Sequence, residues 1–264
     1  MYIMKNNNKP LQNNQKLLVN KNVSYGLSFN GSNQELIFNN NLLTVANTYL
    51  QPNLPFSVSF SFYVTNAMFS GNGQGNFLWI NNNSNYDGIT TKGLNIASVD
   101  NTGIIDIVLN NLTFGIRFVG VQIPISFINQ VVNVTFTHDG NVFKGYFNGN
   151  LQQVGTSGTL TGTIDYTTGI VPGIRYDVST FFQKGTIHYI KIYNRELTPT
   201  EVAQQSRYNN IETNMVYHIP FNAINGTTTP ETVLGNPATL VNYSIGEKPF
   251  RDIQNNIIQN YIVT

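Results

Sequence analysis

From Tyr25 onward, apolar side chains recur at every second position, the period of a strand with one buried face. Tyr25, Leu27 and Phe29 alternate with Gly26 and Ser28, and Asn30-Gly31 then turns the chain into Glu35-Leu36-Ile37-Phe38. The clearest run is Phe56, Val58, Phe60, Phe62 and Val64, with Ser57, Ser59 and Ser61 directed away from that core. Phe77-Leu78-Trp79-Ile80 is an unbroken apolar run of the fully buried kind, so Trp79 is expected in the core. Residues 94–96, 104–109 and 114–119 follow as further short strands. Val132, Val134 and Phe136 alternate with polar partners up to Asp139-Gly140, and residues 142–147 then meet Asn148-Gly149. Both dipeptides suit the positive-φ positions of a tight hairpin turn. Many brief strands between Gly/Asn turns, with almost no helix, predict an all-β fold of two antiparallel sheets packed as a sandwich. One short helix is signposted: Thr198 as N-cap, Pro199 at the first helical position, and Glu201 completing a capping box.

Four segments, in order, resemble the concanavalin A-like, laminin-G family. Leu27-Ser28-Phe29-Asn30-Gly31 is similar to its opening "F-x-G" strand, and residues 55–63 to the strand usually reading "F-T-I-E-x-W-V". Residues 132–149 resemble its "H-V-A-x-T-Y-D-G … L-Y-V-N-G" hairpin, and residues 185–201 its "G-x-I-D-E-V-R-I-Y-N-R-A-L-S-x-x-E-I" stretch. The resemblance spans about residues 25–208 and implies a jelly-roll sandwich with a lectin-like binding role. Two departures matter. His188-Tyr189 stands where the family usually has Asp-Glu, and the Trp that often begins the hairpin strand is absent. Acidic groups in relatives often help hold calcium, which wants six to eight oxygens. No cofactor is therefore expected, and calcium is not supported.

Outside the periodic region the chain divides into an N-terminal arm at 1–22, a jelly-roll domain at 23–210 and a C-terminal extension at 211–264. The arm is polar, rich in Asn and Lys, and lacks periodicity, so it would gain order only by packing on something else, such as a neighbouring subunit. In the extension, residues 215–226 and 234–242 resemble the segment that normally precedes the family's "F-x-G" strand, yet here they follow the domain. They are expected to complete a sandwich by adding a strand to an open edge, of this subunit or of a neighbour.

Composition narrows the function. Charged residues make up 10% of the chain, against roughly 25% in a typical domain. Asparagine, at about forty copies, fills the gap, which fits either AT-rich coding or an amide-rich surface for sugar hydroxyls. The formal net charge of +1 leaves no electrostatic footprint for nucleic acid. Cysteine is absent, which removes disulfides and thiolate metal sites. Neither an apolar leader nor a membrane span is read from the sequence.

Chemistry is sparse. Glycosidases of the resembled fold carry an "E-x-D-x-x-E" cluster on one strand, which sets two carboxylates together for nucleophile and acid. Glu occurs only at Glu35, Glu196, Glu201, Glu212, Glu231 and Glu247, with no such spacing, and Asp100 and Asp106 read as turn chemistry. His138, His188 and His218 lack partners at ligand or triad spacing. Gly71-Asn72-Gly73-Gln74-Gly75 opens a strand, not a phosphate-binding helix. An enzyme is not expected. A sugar site needs an aromatic face with amides or carboxylates aimed at hydroxyls. The candidate is the loop holding Asn81, Asn83, Asn85, Tyr86 and Asp87, with Tyr86 for stacking and the others for hydrogen bonds. Together these traits point to a non-enzymatic protein of a virus particle surface, of decoration or head-fibre type. Its partners would be other virion proteins or identical subunits through both arms, and cell-surface glycans. The alternatives are a free bacterial carbohydrate-binding protein or adhesin, and a degenerate glycosidase.

Overall fold

The computed structural model of the chain describes residues 26–30, 35–38, 40–70, 75–81, 93–99, 101–111, 115–155, 162–166, 173–174, 184–206, 211–221, 228–229, 231–235, 237–241 and 250–251. The strands begin with β1 (Gly26–Asn30), β2 (Glu35–Ile37), β3 (Pro55–Tyr63), β4 (Asn76–Asn81), β5 (Gly93–Val99), β6 (Ile104–Asn111), β7 (Gly115–Gln122) and β8 (Val131–Asp139). They continue with β9 (Phe143–Phe147), β10 (Asn150–Gly155), β11 (Gly173–Ile174), β12 (Lys184–Tyr193), β13 (Met215–Ile219), β14 (Thr228–Thr229), β15 (Ala238–Val241) and β16 (Phe250–Arg251). Two α-helices accompany them, α1 (Asn40–Tyr49) and α2 (Pro199–Gln205). Neither is long and apolar enough to cross a membrane.

The strands form two 8-stranded antiparallel sheets. The first runs β10-β9-β8-β3-β12-β1-β16, with β13 also on β12; the second runs β14-β15-β2-β11-β4-β5-β6-β7. The alternating apolar positions meet between them. Phe56, Val58, Phe60 and Phe62 are all but fully buried, and the Phe77 ring from the second sheet lies 5.1 Å from Phe60 and 4.6 Å from Phe62. Truncating any one of these phenylalanines would leave a cavity costing about 3–5 kcal/mol.

Ser57, Ser59 and Ser61 do face away from this core, yet they too are buried. The outer face of the first sheet carries a layer of its own. Tyr146, Tyr193, Leu197 and Val202 form a small second core under α2, with Ile211 and Met215 packed against it. Beneath, hydroxyls and amides satisfy one another. Asn133 Nδ2 donates to Ser59 Oγ and to Tyr189 OH at 2.6 Å, and Thr135 Oγ1 donates to Ser59 Oγ at 2.9 Å. Ser57 Oγ donates to the Arg195 carbonyl and accepts from the Leu197 amide, both at 2.9 Å, which fixes the chain entering α2. The capping box forms as the sequence predicts, and Arg195 grips Glu201 through two contacts of 2.7 Å.

β12 binds the two ends of the domain. One edge pairs with β3; the other is shared, with Ile187 opposite Leu27 of β1 and Ile190 opposite Ile219 of β13. The strand that opens the jelly roll and one that follows it thus lie end to end along one side of a single strand, within one chain. β15 likewise adds to β2, with Leu240 opposite Leu36. The arm at 1–22 lies outside the described residues.

α1 is an element the sequence pattern did not announce. Leu42, Val45, Ala46 and Leu50 are buried at helical spacing, and Pro52 follows its end. Its C-terminal turn is held by amides. Gln51 Nε2 donates to the carbonyls of Asn47 and Ile164, Gln51 Oε1 accepts from the Ile164 amide, and Asn47 Oδ1 accepts from that of Tyr166.

Asp106 is not in a turn. It sits within β6 between Ala97 and Gly120 on the neighbouring strands, on the face away from buried Ile105 and Ile107. Burial there raises its carboxyl from the usual 3.8 to about 6, partly offset by its own backbone amide. Between these values the folded chain holds a proton that the unfolded chain has released, so stability falls as pH rises through that window. Asp106→Asn is therefore expected to raise stability at pH 7 by on the order of 1–2 kcal/mol, an advantage that vanishes below about pH 4, as thermal melts across pH would report.

At the β9–β10 turn, Asn148 and Gly149 have φ of 46° and 83°, and a Cβ on Gly149 would lie 2.9 Å from Ala203 Cα in α2. Gly149→Ala is expected to cost about 2 kcal/mol or more in urea unfolding, through a strained φ and the displaced helix.

Candidate binding site

A groove of about 320 Å³ lies where α1 crosses β13. Its apolar lining comes from Val45 and Tyr49 of α1, from Met215 and Val216 of β13, and from Val233 and Leu234 of the turn between β14 and β15. Asn41, Thr44 and Thr48, spaced three and four apart on α1, supply the polar rim. Thr48 Oγ1 donates to the Thr44 carbonyl at 2.8 Å, which leaves the oxygen's lone pairs to accept. Val233 and Leu234 are 39% and 42% exposed.

The turn bearing those two residues is fastened to β13 by one carboxylate. Glu231, itself 3% exposed, accepts from the backbone amides of His218 at 3.0 Å, Val233 at 2.8 Å and Leu234 at 2.6 Å. The Thr232 hydroxyl lies 2.9 Å from His218 Nδ1, and the Thr232 amide donates to the His218 carbonyl. Burial first, and Lys191 across the strand pair second, lower His218 to about 3. The imidazole is therefore neutral across the physiological range, and this fastening does not titrate there. Burial also lowers Lys191 to about 8, with Glu212 acting the other way, and its ammonium sits 4.6 Å from the Tyr189 ring centroid.

Of the residues singled out in the sequence, Asn81 is the last of β4, opposite Gly93, and the connection 82–92 leaves from that pair. Asn83, Asn85, Tyr86 and Asp87 lie outside the described residues, as does Asp100. Trp79 pairs with Asn95 on one side and Gly173 on the other. β2 and β4 flank β11 and run the same way, so α1, the 231–235 turn and the connection 82–92 all leave the second sheet at one end. The bases of the groove and of that connection are separated by two strand spacings, about 10 Å.

Several other described chemistry-bearing side chains serve the fold. His138 is fully buried, its Nδ1 lies 3.0 Å from the Leu54 carbonyl, and its ring packs on Phe56 and Phe143. Glu196 pairs with Lys144 at 2.7 Å, and Asp139 accepts from the Asn141 and Val142 amides to shape its turn. None of these carboxylates lines the groove, and among the described residues no group of three His, Asp or Glu is placed to hold a metal ion.

Comparison with known proteins places this geometry. The family described as the concanavalin A-like lectin/glucanases superfamily matches residues 30–203. No curated protein matches in sequence. Among solved structures, a protein from Bacteroides ovatus ATCC 8483, described as a candidate carbohydrate binding protein, superposes with a TM-score of 0.56 at 11% identity, over 90% of this chain and 62% of that one. The receptor binding domain of botulinum neurotoxin C/D mosaic serotype gives 0.46 at 18% identity, over 84% and 57% of the two chains. The binding domain of botulinum neurotoxin DC in complex with SialylT gives 0.44 at 14% identity, over 66% and 39%. The chain thus spans less than two thirds of each of these structures. Its two-sheet core, its motif order and the extent of the family match all agree: the chain belongs to the concanavalin A-like lectin/glucanases superfamily.

Proposed function

We propose that this chain is a non-catalytic carbohydrate-binding module that takes its ligand in the groove between α1 and β13. The observation that carries this reading is the groove's composition, in which the Tyr49 ring and an aliphatic floor meet a rim of Asn41, Thr44 and Thr48. A pyranose presents the same two characters, an apolar C–H face and a hydroxyl edge, and such sites pair an aromatic surface with a few directed polar groups. Glycoside hydrolysis would need two carboxyls about 5–9.5 Å apart across the sugar, and the groove has none. The description of the Bacteroides ovatus neighbour agrees with this function.

We further place the module on a virus particle surface, as decoration or head-fibre protein. The Asn-rich, charge-poor composition supports that setting. Mass spectrometry of purified particles tests it.

On a glycan array the full chain should bind a restricted set of sugars. Leu234→Arg, at the exposed rim, and Tyr49→Ala should each weaken that binding about tenfold or more, a loss of about 1.4 kcal/mol, with circular dichroism unchanged. Binding lost in Tyr86→Ala but kept in both groove variants would move the site to the connection 82–92. No binding to any glycan would refute the carbohydrate reading.

A further inference from the structure

The two walls of the groove differ in what they offer a ligand. Asn41, Thr44 and Thr48 share one face of α1 along about 10 Å of its axis. Thr44 and Thr48 are exposed, and Thr48 Oγ1, whose proton goes to the Thr44 carbonyl, keeps lone pairs for an incoming donor. This wall suits a row of hydroxyls.

The facing wall suits none. Met215, Val216, Val233 and Leu234 have no side-chain donor and no acceptor stronger than a thioether. Backbone donors there are engaged as well. The Val233 and Leu234 amides donate to Glu231 at 2.8 and 2.6 Å, and the Met215 amide donates to the Glu212 carbonyl at 3.1 Å. Glu231 itself is 3% exposed and already accepts a third amide, from His218, so its carboxylate is withdrawn from a ligand. A bulge in β13 extends this apolar surface. Tyr217 lies opposite Ile192 and Met215 opposite Tyr193, so Val216 has no partner on β12. In a regular strand Met215 and Val216 would point to opposite faces; here both line the groove.

Among the described residues, the lining holds no Asp, Glu, Lys, Arg or His. A carboxylate or sulfate on a sugar would therefore lose water without gaining a counter-charge.

Resting on the carbohydrate reading of this groove, we infer that it selects a neutral 6-deoxyhexose. The C6 methyl lies against Met215, Val216, Val233 and Leu234, and the hydroxyl edge runs along Asn41, Thr44 and Thr48. An ordinary hexose carries a hydroxymethyl at that carbon. Against the apolar wall its hydroxyl gives up water and finds no partner, whereas a methyl displaces water from aliphatic side chains. The preference has a ceiling, because an apolar pocket rejects an added hydroxyl by roughly a hundredfold at best. Val233 and Leu234 remain 39% and 42% exposed, so this groove should reach about tenfold.

Sugars that differ only at C6 test this. Titration calorimetry of the full chain compares methyl L-fucoside with methyl L-galactoside, and methyl L-rhamnoside with methyl L-mannoside. In at least one pair the deoxy member should bind about tenfold tighter, and a sialylated lactose should not compete. Val233→Thr and Leu234→Gln each add a polar group to the wall at an exposed position. Each should narrow the ratio to about threefold or less, with circular dichroism unchanged. Three results overturn the inference and leave the carbohydrate reading standing. They are a hexose member that binds as tightly as its deoxy partner, a preference undiminished in both variants, and glycan-array binding confined to sialylated sugars or to sugars without a deoxyhexose. A chain that binds no glycan at all overturns both.

Discussion

Lys184–Tyr193 is hydrogen-bonded along both edges, and from Thr186 to Tyr193 every side chain is buried, including His188 and Lys191. A strand so placed has no water to satisfy its backbone, so each amide and carbonyl must find a partner or cost about 1–3 kcal/mol. β3 supplies one edge. The other is divided between β1, which opens the jelly roll, and β13, which arrives after it. The C-terminal extension is for this reason structural rather than an appendage: without β13, the stretch 190–193 would present a bare edge beside the core residues Ile190 and Ile192.

The groove follows from the same constraint. Because β13 is held against β12, Met215 and Val216 form a fixed wall, and Glu231 fastens Val233 and Leu234 to that wall through backbone amides. α1 forms the opposite wall, and Gln51, Asn47 and Tyr166 anchor its C-terminal turn. Both walls are thus set by hydrogen bonds to neutral groups or by a carboxylate already saturated with donors. In a chain with few charges, amides take over work that ion pairs do elsewhere, and the abundant asparagine and glutamine have structural employment beyond their turns.

Much of this was legible in the sequence. Period-two alternation located β3, β8 and β9, Asn148-Gly149 marked its hairpin, and Thr198-Pro199 with Glu201 marked α2, because each signal is local. α1 escaped because Asn and Thr, weak helix formers, fill its exposed face while only Leu42, Val45, Ala46 and Leu50 carry the helical spacing. The serines of β3 were correctly turned from the core, but their burial depends on a second layer built from residues far along the chain, among them Tyr146, Tyr193 and Val202. The groove was illegible for the same reason: residues 41–49, 215–216 and 233–234 meet only once β13 has joined β12. Asp106 looked like turn chemistry because a half-buried carboxyl in mid-strand leaves no mark on local spacing.

Native-state hydrogen exchange offers the most direct test of the claim that β13 completes the sheet. If it does, the amides that β12 and β13 exchange across residues 190–193 and 215–219 should open only with global unfolding, at the same free energy as those of β3. Were the β13 amides instead to exchange through a local opening of far lower free energy, while β12 stayed fully protected, the extension would be no part of the fold's foundation.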